Sequence, residues 1–179
     1  ICLSQVFCIR DEAVPPPPIR DFVVTNEKEA WVVTNKGKVF HLFADTRVKE
    51  ELKFPTEARL INFINANEGW ILDSNGQVWA TANNGKDWSK KGGFNNDIAY
   101  IDLSSKMLFL DKNTGWIMNS WWVWITEDGG NSWSSIYPNE KFSYSTLQGQ
   151  PIKFFPVNAD IAWLAMSNSK VLKTANRGK

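Results

Sequence analysis

A Trp-centred segment of six residues occurs four times in this chain, and that recurrence leaves few folds open. The copies are Glu29-Ala30-Trp31-Val32-Val33-Thr34, Glu68-Gly69-Trp70-Ile71-Leu72-Asp73, Thr114-Gly115-Trp116-Ile117-Met118-Asn119 and Ile161-Ala162-Trp163-Leu164-Ala165-Met166. A second apolar strand follows each: Val39-Phe40-His41, Val78-Trp79-Ala80, Val123-Trp124-Ile125 and Val171-Leu172-Lys173. Between them lie Asn35-Lys36-Gly37 and Ser74-Asn75-Gly76. These read as hairpin turns, since Asn-Gly tolerates the positive φ that a type I′ turn demands. A third strand precedes each Trp: Phe22-Val23-Val24, Leu60 to Ile64, Lys106 to Leu110 and Ile152 to Phe155. A fourth follows, as in Trp88-Ser89-Lys90 and Trp133-Ser134-Ser135-Ile136-Tyr137. The unit is a four-stranded antiparallel meander of about 45 residues, the size of a β-propeller blade.

Composition supports this reading. The chain has 179 residues and is 43% hydrophobic, enough to bury a core. Its ten tryptophans suit short strands joined by tight turns. A net charge of +1 provides no electrostatic footprint for nucleic acid. No apolar run approaches the roughly 20 residues of a transmembrane helix. The single His and two cysteines offer no metal-ligand spacing, and no cofactor is expected. Cys2 and Cys8 are open to three readings: a local disulfide, a lipid-anchored Cys, or incidental thiols near the chain start. Pro15 to Pro18 form an extended spacer at the entry to the folded part. The expected organisation is an N-terminal segment over 1–20, then blades at about 21–56, 57–98, 99–145 and 146–179, the last truncated.

The most specific motif sits between the second and fourth of these strands. Thr126-Glu127-Asp128-Gly129-Gly130-Asn131-Ser132-Trp133 fits Ser/Thr-x-Asp-x-Gly-x-Ser/Thr-Trp at every defined position. Thr81-Ala82-Asn83-Asn84-Gly85-Lys86-Asp87-Trp88 is a softened copy. Thr174-Ala175-Asn176-Arg177-Gly178-Lys179 is a third, stopping before its Trp. The first unit has lost the motif around Leu42 to Arg47. A short Asp or Asn side chain accepts hydrogen bonds from backbone N–H groups that the turn leaves unpaired. The Gly takes a conformation closed to other residues, and the Trp folds back as an apolar plug. Asn83 and Asn176 replace Asp128, so the turn requires hydrogen-bond acceptance rather than a charge. The predicted structural turn residues are Thr81, Asn83, Gly85, Trp88, Thr126, Asp128, Gly130, Trp133, Thr174, Asn176 and Gly178.

With these turns and the Gly-Trp strand rhythm, the chain resembles the Asp-box (BNR-repeat) β-propellers over roughly residues 20 to 179. It is most similar to the photosystem II stability/assembly-factor-like group and more distantly to sialidases. The resemblance implies an all-β fold: four blades of an incomplete ring, since closed rings in this superfamily usually have more. The truncated last turn reads as the N-terminal piece of a longer protein. The alternative is a last blade completed by another chain or by the N-terminal segment. The family, together with the apolar start Ile1 to Cys8, which reads as the tail of a removed leader, implies a location outside the cytoplasm, in periplasm, lumen or secreted space. A membrane anchor through a removed or lipidated N-terminus is compatible with both.

The expected function is non-catalytic: a binding, scaffold or assembly-factor-type module for a protein or glycan partner. The alternative is part of an extracytoplasmic glycoside hydrolase whose catalytic residues lie partly in other blades. A sialidase-like site implies a Tyr/Phe-Arg-Ile-Pro motif near the start, whereas this chain has Pro18-Ile19-Arg20-Asp21. Arg10, Arg20, Arg47, Arg59 and Arg177 show no legible clamp. Asp73, Asp97, Asp102 and Asp111 fall near strand ends, where a pair of glycosidase carboxylates would stand. Acidic residues there are equally common in non-enzymes. Asp11-Glu12 and Glu50-Glu51 read as surface charge, and His41 as a packed or surface residue without a Ser or Cys partner. One oddity remains. Where other units carry Gly or a polar residue in the hairpin turn, the third has Asn119-Ser120-Trp121-Trp122. Trp121 and Trp122 either form an exposed binding platform or pack against an adjacent blade.

Overall fold

A computed structural model describes residues 17–44, 48–94, 101–102, 104–137 and 149–177. Cys2, Cys8, Arg10, Asp11, Glu12, Pro15, Pro16, Arg47, Asp97 and Gly178 lie outside these. The described chain forms fifteen strands and no helix. Blade 1 contains β1 (Ile19–Asn26), β2 (Glu29–Thr34), β3 (Val39–Phe43) and β4 (Val48–Leu52). Blade 2 contains β5 (Ala58–Phe63), β6 (Gly69–Asp73), β7 (Gln77–Thr81) and β8 (Ser89–Gly93). Blade 3 contains β9 (Lys106–Phe109), β10 (Gly115–Met118), β11 (Val123–Thr126) and β12 (Ser134–Tyr137). Blade 4 contains β13 (Pro151–Pro156), β14 (Ala162–Met166) and β15 (Val171–Thr174). Each is an antiparallel meander in chain order, three with four strands and the last with three. The blades form an open arc of a propeller. Glu50 and Glu51 belong to β4, where Glu51 pairs with Lys38 at 2.8 Å.

Burial follows each blade's place in the arc. Every residue of β6, β10 and β11 is buried, because blades 2 and 3 are covered on both faces. Such strands read as continuous apolar runs. In β1 and β14 burial alternates, because the end blades are covered on one face. The repeated Trp shows this most directly. Trp31, Trp70 and Trp116 are 2%, 3% and 1% exposed, whereas Trp163, at the same position in blade 4, is 41% exposed. Each buried Trp meets a Phe on the innermost strand of the following blade. Trp31 stacks on Phe63 at 5.2 Å, Trp70 on Phe109 at 3.9 Å, and Trp116 lies 5.8 Å from Phe154. Trp70 also donates its indole N–H to the Gly129 carbonyl at 3.1 Å.

A second repeat pairing was not evident from the chain alone. Phe63 is paired with Gly69, and Phe109 with Gly115. A Cβ on either glycine would lie 2.6 Å from the ring. In blades 1 and 4 the same pair is Val24 with Ala30 and Pro156 with Ala162. A smaller partner leaves room for the methyl group.

The turns differ from expectation in type. Gly37 and Gly76 have φ of 73° and 74°, but Asn35, Lys36, Ser74 and Asn75 are not left-handed. Gly37 N–H donates to the Thr34 carbonyl and Gly76 N–H to the Asp73 carbonyl. These are three-residue loops ending in one left-handed glycine rather than type I′ turns, which need positive φ twice. Blade 4 places Ser169 there, with φ of 65°.

The Asp-box turns share one hydrogen-bond plan. Thr126 donates its hydroxyl to Asp128 Oδ1 (2.8 Å) and accepts from Gly130 N–H (2.9 Å), while Ser132 N–H donates to Asp128 Oδ1 (2.9 Å). In blade 2, Thr81 donates to Asn83 Oδ1, and Gly85 and Asp87 N–H take the equivalent bonds, all at 3.0 Å. In blade 4, Thr174 donates to Asn176 Oδ1 at 3.0 Å. The residue after the Asp or Asn is left-handed in all three: Asn84, Gly129 and Arg177. Its N–H reaches a carbonyl of its own blade's first turn: Asn67, Asn113 and Asp160 respectively. The plugs close the turns. Trp88 packs edge-on against Trp31, Phe54 and Phe63, while Trp133 packs edge-on against Phe109 and tilted against Phe94.

Candidate functional site

Strand direction gives the arc two ends. The Asp-box turns and the first-to-second-strand turns lie at one. The second-to-third-strand turns and the connections between blades lie at the other, and Trp121 and Trp122 stand there between β10 and β11. Asn119 shapes their turn: its Oδ1 accepts the N–H of Trp121 at 2.8 Å and of Trp122 at 2.7 Å. The two indoles part company. Trp122 stacks on Trp124 at 5.7 Å, partly buried against the core between blades 2 and 3. Trp121 is 41% exposed.

The Trp121 turn is anchored from below. Ser120 donates to Asp102 Oδ2 at 2.6 Å, and Ser104 donates to Asp102 Oδ1 at 2.6 Å. The carbonyls of Ile101 and Asp102 accept the guanidinium of Arg20 at 2.8 and 3.2 Å, and Arg20 Nε donates to the Arg59 carbonyl at 3.1 Å. Arg20 sits on β1, so the turn of blade 3 is tied to the innermost strands of blades 1 and 2. Burial pushes the Asp102 carboxyl upward, but hydroxyls of Ser104, Ser120 and Ser105 together outweigh it and hold it below its ordinary value. A platform held in this way loses little conformational freedom when something docks on it.

The described carboxylates considered for glycoside chemistry are occupied with turns. Asp73 Oδ1 accepts N–H groups of Asn75 and Gln77, and its Oδ2 accepts the Thr56 hydroxyl and the Trp79 indole. Asn119 fills its place in blade 3, accepting the N–H of Trp121 and Trp122. Asp111 Oδ1 accepts the N–H of Asn113 and Thr114, as Asn65 and Asn158 do in their blades. Burial raises Asp111, and those backbone bonds overcome it and leave the group below normal. A general acid needs the opposite shift. Asp21 is raised; burial is the main cause, opposed by the Ile61 N–H it accepts at 3.0 Å. The described arginines do not converge. Arg20 and Arg59 sit at one end, while Arg177 pairs with Asp160 and Glu127 at the other. Comparing the copies of each turn, as with the Asp-box, would have found the Asp73 and Asp111 roles from sequence. No signal in the chain marks Arg20.

His41 is a packed residue. Its ring lies between Trp31 at 4.0 Å and Phe43 at 4.1 Å, with Nε2 3.2 Å from Glu29. Burial pushes its pKa down, against the pull of Glu29 and Glu50. The native state therefore disfavours the proton. Stability is complete above the ordinary His value and falls as pH drops below it. The urea midpoint should decline from about pH 7.5 to about pH 5.5, above the carboxylate range. In His41→Phe that slope should flatten; an unchanged slope would remove His41 as its cause.

The sequence profile of the photosynthesis system II assembly factor YCF48 family matches residues 42–179. No curated protein sequence matches. Among solved structures, "YCF48 bound to D1 peptide" is similar with TM-score 0.56 and 13% identity over 88% of this chain and 65% of that one. YCF48 from Cyanidioschyzon merolae is similar with TM-score 0.61 and 15% identity over 88% of this chain and 56% of that one. An ancestral GH74 enzyme has TM-score 0.58 and 15% identity over 85% of this chain and 22% of its own. At these identities the likeness is one of fold. The chain spans less than two thirds of both YCF48 structures.

Proposed function

Because the chain belongs to the photosynthesis system II assembly factor YCF48 family, we propose that it is a non-catalytic propeller that grips a segment of a partner protein during assembly of a larger complex. The observation that carries this reading is the family match over 42–179. The peptide in one similar structure indicates the kind of occupant, a protein segment. Trp121 supplies the contact surface: an exposed indole on a turn cross-tied through Asp102 to Arg20. Rigid, half-exposed aromatics of this kind dominate many protein interfaces. Nothing specific favours a glycan occupant or a hydrolytic role, since Asp73, Asp102 and Asp111 serve turns. A setting outside the cytoplasm fits this role, and no helix among the described residues is long and apolar enough to cross a membrane.

The test is a titration with a synthetic D1 peptide. Trp121→Ala should weaken binding about tenfold, about 1.4 kcal/mol, and leave the unfolding free energy within about 0.5 kcal/mol of the parent. Trp122→Ala should instead lower the midpoint. Full affinity in a folded Trp121→Ala variant would remove this turn from the site, and no binding by the parent would remove the peptide.

A further inference from the structure

Two neighbouring residues of β1, Arg20 and Asp21, reach out of blade 1 into both of the next two blades. Arg20 falls at a register shift between Ile19 and Asp21, and this bulge aims its side chain away from the β1–β2 ladder. Its Nε donates to the Arg59 carbonyl on β5 at 3.1 Å, and its Nη2 donates to the Ile101 and Asp102 carbonyls, just ahead of β9, at 2.8 and 3.2 Å. Asp21 Oδ2 accepts the Ile61 N–H on β5 at 3.0 Å, and its Oδ1 lies 3.9 Å from Lys106 Nζ on β9. Blade 2 has a bulge at the same place, but there Arg59 turns to Glu57 at 2.9 Å. On the blade 3 side the Asp102 carboxylate continues the joint. Oδ1 accepts the Ser104 N–H at 2.8 Å and the Ser105 hydroxyl at 3.1 Å, and Oδ2 accepts the Ser120 hydroxyl at 2.6 Å, one residue before Trp121.

We propose that Arg20 is a positioning residue for the Trp121 surface: a cation on blade 1 that fixes the blade 3 turn without touching what docks there, with Asp21 bracing the same seam. This rests on the reading of the Trp121 turn as the contact surface. A guanidinium suits the task, because its planar fork presents several N–H groups at fixed angles to carbonyls of separate segments. With the joint made, the turn is already held in place and docking does not have to order it. The coupling is reciprocal: whatever factor the joint adds to affinity, docking adds to the closure of blades 1, 2 and 3. Grip on the partner thereby depends on blade 1 being seated against its neighbours.

Hydrogen exchange read by mass spectrometry on the free chain tests the joint without any partner. In Arg20→Gln, exchange of the Trp121 and Trp122 amides should rise about tenfold, while the β6 amides keep the parent rate. The D1 peptide should bind that variant about fivefold more weakly although Trp121 is intact. In a Trp121→Ala background the same change should cost no further affinity, because no indole is left to position. Arg20→Lys should behave as Arg20→Gln does, since a single nitrogen cannot stand both where Nε and where Nη2 stand. Circular dichroism identifies a variant that misfolds, and Arg20→Met, which keeps the stem, then takes its place. Unchanged exchange at Trp121 and Trp122 in a folded variant overturns the proposal. Losses that add in the double variant also overturn it, since the two residues would then act separately. So does full affinity in Arg20→Lys beside a loss in Arg20→Gln, which would make the cation a direct contact of the peptide. Raised exchange in the variant with no peptide bound by the parent supports the joint and removes the docking reading instead.

Discussion

Trp70→Ala should lose about 3–5 kcal/mol, the range for truncating a fully buried aromatic, while Trp163→Ala should lose about 1 kcal/mol or less. The two residues hold the same repeat position and differ only in what lies opposite. Trp70 is 3% exposed, stacks on Phe109 at 3.9 Å and donates its indole N–H to the Gly129 carbonyl. Removing it opens a cavity between blades 2 and 3 and takes the indole donor from the Gly129 carbonyl of the blade 3 Asp-box turn. In repeat arrays each unit is stabilised by its neighbours, so the loss should also lower cooperativity. Urea unfolding followed by circular dichroism should show a lower midpoint and a smaller m-value for Trp70→Ala. Trp31→Ala and Trp116→Ala should behave likewise. Equal losses at positions 70 and 163 would contradict the open-arc arrangement.

Gly92→Ala should destabilise by roughly 3 kcal/mol, although one methyl on a surface strand is normally tolerated. A Cβ at Gly92 would fall 1.9 Å from the carbonyl oxygen of Asn131 and 2.5 Å from its carbonyl carbon. Both are backbone atoms of the blade 3 Asp-box, which no rotamer change can move aside. Gly92 N–H also donates to the Gly130 carbonyl at 2.9 Å, and separating the blades would break that bond. Lys90→Ala, exposed on the same strand, should change stability by less than about 0.5 kcal/mol. Thermal unfolding of the pair is the check. A Gly92→Ala variant as stable as Lys90→Ala would mean that β8 and the blade 3 turn are not in contact.

The recurring Trp, the four-stranded unit and the Asp-box turns were legible because each is a local pattern repeated in register. Asn83 and Asn176 standing where Asp128 stands showed that acceptance of hydrogen bonds is what the turn needs. The same comparison applied to Asp73 against Asn119, or Asp111 against Asn65, would have separated turn anchors from catalytic candidates. The turn type at Asn75-Gly76 was misread because the dipeptide suits two loop geometries, and the Asp73 side chain accepting two N–H groups selects one with a single left-handed residue. Gly69 and Gly115 looked like ordinary glycines beside a Trp; only their distance from Phe63 and Phe109 shows why no side chain fits.

The architecture is legible in the chain, because hairpin turns, strand alternation and plug residues depend on interactions a few residues apart. Tertiary structure decided the fate of identical residues in different places. It buried Trp31, Trp70 and Trp116 and left Trp163 exposed, and it packed Trp122 on Trp124 while leaving Trp121 at the rim. The physical reason is that burial depends on what the neighbouring blade presents across the interface, and no spacing within a repeat encodes that.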